Sequence, residues 1–339
     1  MNIAVITPPG KGYYLVNTVL DGLIELKKEG MDLNLAFPDY SYLAPFDIKD
    51  FTMSEDKFIS FAQKADLIIL TWGKNVTNYA LAEKINCWPK TIFVEESELG
   101  KNNRYDFDIQ KSVLDLTYKS YGRIDEEMLN KCRLYFRREK PYIKGIIPLP
   151  FGIESRYLEK FSEKKEKDID FACMFGQDQY PIMRRHVSKI LSDFCQENNF
   201  KCFVGKTPSF SFDDETKKAG RSDFYEILAR SKVGISVGGG GFDTARFWEI
   251  LANNCLLLTE KIDIYEPDSS RLKYDRIWQF SNLFDFEYEL NKAGQFLRKE
   301  YRSEDLVKEY QKIISEHSSK TRVLEIINVF NSLNNSSSH

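Results

Sequence analysis

GISVGGGGFDTARFWEILANNCLLLTE, residues 234–260, is the stretch whose reading decides the fold. The apolar run Val233–Val237 predicts a buried strand, and Cys255–Leu258 predicts the next one. Between them four glycines, Gly238 to Gly241, open a helix that starts near Phe242, with Asp243 or Thr244 as its cap. A glycine turn that joins a strand to a helix is a natural anion site. Backbone N–H groups point outward, the helix dipole is positive there, and no side chain blocks close approach. Arg246 falls in the first helical turn, where a cation is disfavoured by about 0.3–1 kcal/mol. A bound anion, or the carboxylate of Glu249 one turn on, removes that penalty. Arg246 and Glu249 stand at i and i+3 and share a helix face, so one can meet a phosphate while the other meets hydroxyls. The bland alternative is a flexible glycine loop with an ordinary surface ion pair; the strand–loop–helix context favours the anion site.

Outward from this unit, short apolar strands alternate with helical patterns, which predicts an α/β fold with parallel sheets. Ile3–Thr7 reads as a strand, followed by the loop PPGKG and a helix over 16–28 that Gly30 ends. Leu33–Phe37, Leu67–Trp72 and Thr91–Glu95 read as further strands, and DEEMLNKCRLYFRRE (125–139) as a helix. IIPLPFGI (146–153) carries two prolines and a glycine and reads as a crossing between domains. A second α/β set follows it. Ile169–Phe175 and Lys201–Val204 are strands around a helix over 182–198, and two helices, roughly 286–299 and 303–317, close the set. The expected organisation is two Rossmann-like, doubly wound domains facing a central cleft. One spans 1–150 with a last helix, 320–334, packing back across it; the other spans 151–319. Ligands in open parallel sheets bind beyond the carboxyl ends of the strands, so the loops there should line the cleft.

Composition narrows the class. The 339 residues are 42% hydrophobic and 29% charged, a globular balance. A net charge of −3 argues against binding nucleic acid over a broad surface. Six cysteines form no CxxC pair and read as free thiols of a reducing cytoplasm. Three histidines are too few for a histidine-rich metal site. The chain opens directly on MNIAVITPPG with no signal peptide ahead of it, no apolar run is long enough to span a membrane, and a cytoplasmic location is expected.

Two doubly wound domains, a proline-marked crossover and a glycine–helix–Glu element in the second domain together resemble a GT-B glycosyltransferase, and more closely the spore-coat-type, glycosyltransferase-like group with a group 1-like C-terminal domain. The residues that carry the resemblance are GGGGFDTARFWEILANNCLLLTE at 238–260, YFRREK at 135–140, IPLPFGIE at 147–154, and DIDFACMFG at 168–176 followed by Arg184 and Arg185. It implies a nucleotide-diphosphate sugar as co-substrate, with no further cofactor, bound by the second domain. It implies an acceptor, a carbohydrate or another hydroxyl-bearing molecule, bound mainly by the first. Glu249 matches the carboxylate placed on the donor ribose. The acid that the large retaining family carries eight positions earlier is replaced here by Gly241, and the first-domain histidine of that family is absent.

Glycosyl transfer needs a leaving diphosphate stabilised as its charge develops. The candidates are the turn and helix start of Gly239, Gly240, Gly241, Phe242, Asp243 and Thr244, with Arg246, Arg184, Arg185, Lys206 and Gly176 around them. An inverting enzyme also needs a general base, and Glu95 or Glu96, at the end of the strand TIFVE, is the candidate. Gly10, Lys11, Gly12 and Tyr13 of the first loop are expected on the acceptor side. Asp21 is expected at the surface. The triplets Asp106–Asp108 and Asp168–Asp170 are weak motifs, and no metal is expected on them. KCRLYFRREKPYIK (131–144) clusters six cations with three aromatics and is read as one polar helix face rather than a nucleic-acid surface. A nucleotide-sugar 2-epimerase and a non-catalytic nucleotide-sugar-binding module are the alternative functions on the same architecture.

Overall fold

A computed structural model of the chain describes residues 1–9, 14–41, 46, 48–71, 77–96, 124–139, 145–162, 165–176, 182–206, 216–239, 241–262, 264–265 and 269–336. The described residues form two compact units. One gathers those up to Glu154 together with those from Ser318 onward, and the other runs from Ser155 to His317.

The first unit is built on strands β1 (Asn2–Ile6), β2 (Asn34–Pro38), β3 (Thr52–Met53), β4 (Leu67–Thr71), β5 (Thr91–Glu95), β6 (Leu134–Arg137) and β7 (Ile146–Pro148). Their order is β3-β2-β1-β4-β5-β6-β7, with every pairing parallel. Helices α1 (Tyr14–Lys28), α2 (Glu55–Lys64) and α3 (Thr77–Ile85) follow β1, β3 and β4, and α4 (Glu126–Lys131) precedes β6. Parallel strands covered by helices are apolar throughout, and β1 and β4 obey this: IAVI and LIILT are fully buried. The strand order reverses between β1 and β4, which makes the carboxyl ends of these two strands a topological switch point.

Residues 125–139 correct the helical expectation. Asp125 caps α4 by accepting the Met128 N–H, the helix stops at Lys131, and LYFR enters the sheet as β6. The polar helix face expected over 131–144 does not form in its described part. Tyr135, Phe136, Arg137 and Arg138 are buried there, so both arginines belong to the interior.

The second unit has strands β8 (Ile169–Phe175), β9 (Cys202–Lys206), β10 (Ser231–Ser236), β11 (Leu256–Glu260) and β12 (Ile277–Phe280), in the all-parallel order β12-β11-β10-β8-β9. Helices α5 (Ile182–Asn198), α6 (Thr216–Ala229), α7 (Ala245–Ala252), α8 (Leu283–Lys299) and α9 (Ser303–His317) complete it. Here the switch point lies between β8 and β10. Phe171, Cys173, Val233, Ile235, Leu256 and Leu258 form the core with Val187 and Leu191 of α5. Gly234 lets α7 sit directly on β10, because a Cβ there would lie 2.6 Å from Ile250 Cγ2.

Helix α10 (Ser319–Ser336) belongs to the first unit. Its first residue is stitched to α1, where the Ser319 hydroxyl donates to the Asp21 carboxylate. Asp21 is therefore buried, at 1% exposure, and not at the surface as its place on a helix suggested. Gly22 and Gly152 make the close approach possible, since a Cβ on either would fall within 2.8 Å of Ser319 backbone atoms.

Candidate functional site

The carboxyl edge of the second sheet at its switch point is shaped by three local devices. Strand β10 runs into Val237 and the glycine turn, which folds on itself: the Gly239 N–H donates to Gly241 O at 3.1 Å. The Gly238 N–H donates to Glu260 Oε2 at 3.0 Å, at the end of the neighbouring strand. Those two amides therefore serve the turn, which changes the expectation that the Gly239 amide faces a ligand. Helix α7 begins at Ala245, one residue after its cap Thr244, whose side chain makes no capping bond. The Asp243 carboxylate instead accepts the Trp248 indole N–H at 2.8 Å. Helix N-termini present backbone N–H groups that suit an anion.

Arg184 and Arg185 separate cleanly. Both lie in the first turn of α5, but Arg185 is exposed. Arg184 reaches the glycine turn, where it donates to Val237 O at 3.3 Å and lies over the Phe175 ring at 5.2 Å. A Cβ on Gly239 would fall 3.1 Å from the Arg184 guanidinium, which would then have to shift by a few tenths of an ångström.

Arg246 resolves its unfavourable place in the first turn of α7 through the second of the two routes open to it. It donates to Glu249 Oε2 at 2.7 Å and to Met174 O at 2.9 Å, and it stacks 4.0 Å from the Phe224 ring centroid. Glu249, 3% exposed, also accepts the Tyr225 hydroxyl at 3.2 Å. A carboxylate has about four acceptor sites, so these two bonds still leave it acceptor capacity. Tyr225 and Glu260 are site residues that sequence reasoning missed. Tyr225 is 24 positions from Glu249 and carries no local signal. Glu260 was legible as a polar residue closing the run LLLTE.

Phe242 and Thr244 are half-buried beside this turn, and the Thr244 and Ser236 hydroxyls lie 3.4 Å apart. Gly176 follows β8 and is exposed. Lys206 ends β9, paired with Phe175, but its side chain lies outside the described part. Gly240 and the acceptor-side group Gly10, Lys11, Gly12 and Tyr13 also lie outside the described residues, as does the first aspartate triplet. The second triplet is occupied by cations. Asp168 pairs with Arg230 and Lys201, which hold its carboxyl well below the usual range, and Asp170 accepts from Lys232 at 2.7 Å. Among the described residues no group of acids, cysteines and histidines is arranged to hold a metal.

In the first unit, Glu95 and Glu96 end β5 and both are buried. Glu95 accepts the Tyr135 hydroxyl and faces Arg137 at 3.1 Å, both side chains fully inside. Burial pushes its carboxyl up from an ordinary 4.5 to about 7, against the pull of the Arg137 charge and the Tyr135 hydroxyl. A raised carboxyl keeps its proton in the folded chain where the unfolded chain has lost it. The stability that this contributes is complete below about pH 4.5 and is lost as pH rises through about 7. The stability of the wild type minus that of Glu95→Gln, measured by urea unfolding, should therefore fall as pH is raised across this window. A flat difference would contradict the shifted ionisation. Glu96 lies the other way and accepts the Leu15 N–H at 3.0 Å, in the first turn of α1.

No protein-family model matches the chain, and no curated protein sequence matches it. Solved structures do. An alpha-glucosyltransferase in complex with UDP and a 13-mer DNA containing a central A:G mismatch aligns with a TM-score of 0.61 at 13% identity, over 98% of this chain and 100% of that one. A glycosyltransferase from Rickettsia africae ESF-5 aligns at 0.55 with 10% identity, over 98% of each chain. Anabaena HepE in complex with UDP aligns at 0.52 with 10% identity, over 98% of this chain and 100% of that one. The likeness is one of fold: α/β with two parallel sheets, as in GT-B glycosyltransferases. Among the described residues no helix is long and apolar enough to cross a membrane.

Proposed function

We propose that this chain is a glycosyltransferase that takes a nucleotide-diphosphate sugar as donor and moves the sugar to an acceptor hydroxyl without a metal. The observation that carries this reading is the approach of Arg184 to the glycine turn that leads into α7 at the switch point of the second sheet. A guanidinium and a helix N-terminus aimed at one place stabilise a diphosphate both as bound anion and as leaving group. The solved structures with the same fold include complexes with UDP and UDP-glucose, which makes UDP the first probe. Glu249 is assigned to the ribose hydroxyls. Arg246, bonded to Glu249 and to Met174 O, holds that carboxylate in place rather than meeting the phosphates itself. Of the two acids expected to act as base, Glu96 is carried forward, because Glu95 is fully enclosed with Tyr135 and Arg137. The pairing of Asp168 and Asp170 with Arg230, Lys201 and Lys232 supports transfer without a metal on that triplet.

Thermal unfolding of the intact chain with UDP, UDP-glucose and other nucleoside diphosphates tests this. A ligand at 100 times its Kd stabilises by about 2.7 kcal/mol, a shift of several degrees that EDTA should leave unchanged. Glu249→Ala should reduce the shift. If no nucleoside diphosphate or nucleotide sugar moves the melting temperature, the assignment fails.

A further inference from the structure

Two of the six cysteines are brought together by the way α5 ends. The Phe200 N–H donates to Cys195 O at 3.0 Å, and Asn199 takes the left-handed conformation at φ 55°. A bond of this span around one left-handed residue is how a helix stops and turns its chain back. Lys201 is then locked to the sheet. Its N–H donates to Asp170 Oδ2 at 2.9 Å, and its carbonyl accepts the Asp170 N–H at 2.7 Å. Strand β9 therefore starts at Cys202, paired with Phe171 and packed against the core that holds Cys195.

The two thiols lie within hydrogen-bond reach of each other. They differ in exposure. Cys195 is buried, while Cys202 is half-buried on the edge strand of its sheet, where β8 is the one neighbouring strand. Phe203 and Val204, next along that strand, are each 38% exposed, so the edge is open to small solutes. Burial, and then the bond to Cys202, raises the Cys195 thiol above its ordinary value, so Cys195 keeps its proton. The other two thiols of this unit are held elsewhere. Cys173 Sγ lies 3.6 Å from Ser188 Oγ, and Cys255 Sγ donates to Leu228 O and Ser231 O, both at 3.2 Å. A reachable thiol beside a second, resolving thiol is the arrangement in which cysteine oxidation stops at a disulfide.

We propose that Cys195 and Cys202 form a redox modification site, in which hydrogen peroxide closes them into a reversible disulfide that ties the end of α5 to the start of β9. The Cys202 sulfur attacks one peroxide oxygen, the O–O bond breaks, and one water leaves with the Cys202 proton, giving a sulfenic acid. The Cys195 sulfur then attacks the sulfenic sulfur. The S–S bond forms, the S–O bond breaks, and the hydroxyl departs with the Cys195 proton as a second water. Two thiols and one peroxide thus become one disulfide and two waters, and a dithiol reductant returns the pair by exchange. No step uses the glycine turn or a nucleotide, so the site stands apart from the function proposed above.

The test treats the intact folded chain with hydrogen peroxide, removes the excess with catalase, alkylates the remaining thiols in urea and maps tryptic peptides by mass. Cleavage after Lys189, Lys201 and Lys206 separates the two cysteines, so the bond shows as peptide 190–201 joined to peptide 202–206. The joined pair should vanish with dithiothreitol, be lost in Cys202→Ser and stay within twofold of the wild type in Cys173→Ser. The oxidised wild type should also melt above the reduced chain, since the closed loop restricts the unfolded ensemble. The wild-type map decides the proposal even where a variant fails to fold. Four results would overturn the site: neither thiol is oxidised, Cys202 goes on to sulfinic acid while Cys195 is still alkylated, Cys202 is joined to Cys173 instead, or the bond lowers the melting temperature.

Discussion

Arg184→Ala should weaken UDP binding by about 10- to 150-fold, because a charge-assisted hydrogen bond contributes about 1.5–3 kcal/mol. The expected size follows from where the side chain lies. Arg184 is held against Phe175 and Val237 O beside the glycine turn, so the cation is preorganised before a ligand arrives. Arg184→Lys should recover part of the loss, since it keeps the charge and gives up the planar fork that binds phosphate oxygens in pairs. Arg185→Ala is the control. Its side chain is exposed one position along the same helix, and its removal should change affinity less than twofold. Calorimetric titration of the three variants decides the matter. Equal affinities for wild type and Arg184→Ala would remove the diphosphate from this edge.

The second large effect concerns stability and runs against local propensity. Gly22 sits inside α1, where alanine is normally better by about 1 kcal/mol. A Cβ at Gly22, however, would fall 2.4 Å from Ser319 O and 2.5 Å from Val323 Cγ2. Backbone of one helix cannot yield to another without moving the whole helix. Gly22→Ala should therefore destabilise by about 1–3 kcal/mol, and Gly22→Val by more, with the hydrogen bond from Ser319 to Asp21 lost as α10 is displaced. Urea unfolding gives the magnitude, and hydrogen exchange over 319–336 locates it. A rise in stability for Gly22→Ala would mean that α10 does not pack on α1 this closely.

What could be read from the residues differs element by element, for physical reasons. The buried strands were legible because parallel strands under helices are apolar on both faces, as in LIILT and the run ending at Val237. The glycine turn was legible because few other settings call for four consecutive glycines between a strand and a helix. Residues 125–139 were misread because their one short helix and one short strand are each too brief for a period to show. The partners of charged residues were the least legible. Glu95 meets Arg137 through strand register, 42 positions away, and Glu249 meets Tyr225 through the packing of α6 and α7, 24 positions away. Arg246 was correctly marked as a cation in need of a partner, but which of two partners it takes is set by Met174 O and the Phe224 ring. Asp21 was misplaced because a polar residue on a helix gives no sign of a serine nearly 300 positions on.

The path of the chain also bears on how the molecule is made. All of the second unit's described residues, Ser155–His317, precede the last helix in the chain and leave the ribosome before it. The first unit has a different schedule. The face of α1 around Asp21 and Gly22 waits for Ser319, and that residue is synthesised after the whole of the second unit. At about 5–20 residues per second the 298 positions from Asp21 to Ser319 take roughly 15 to 60 seconds. During it, the amino-terminal half carries an uncovered helix surface in a crowded cell, and the closing helix acts as the final fastener of a structure begun first and completed last.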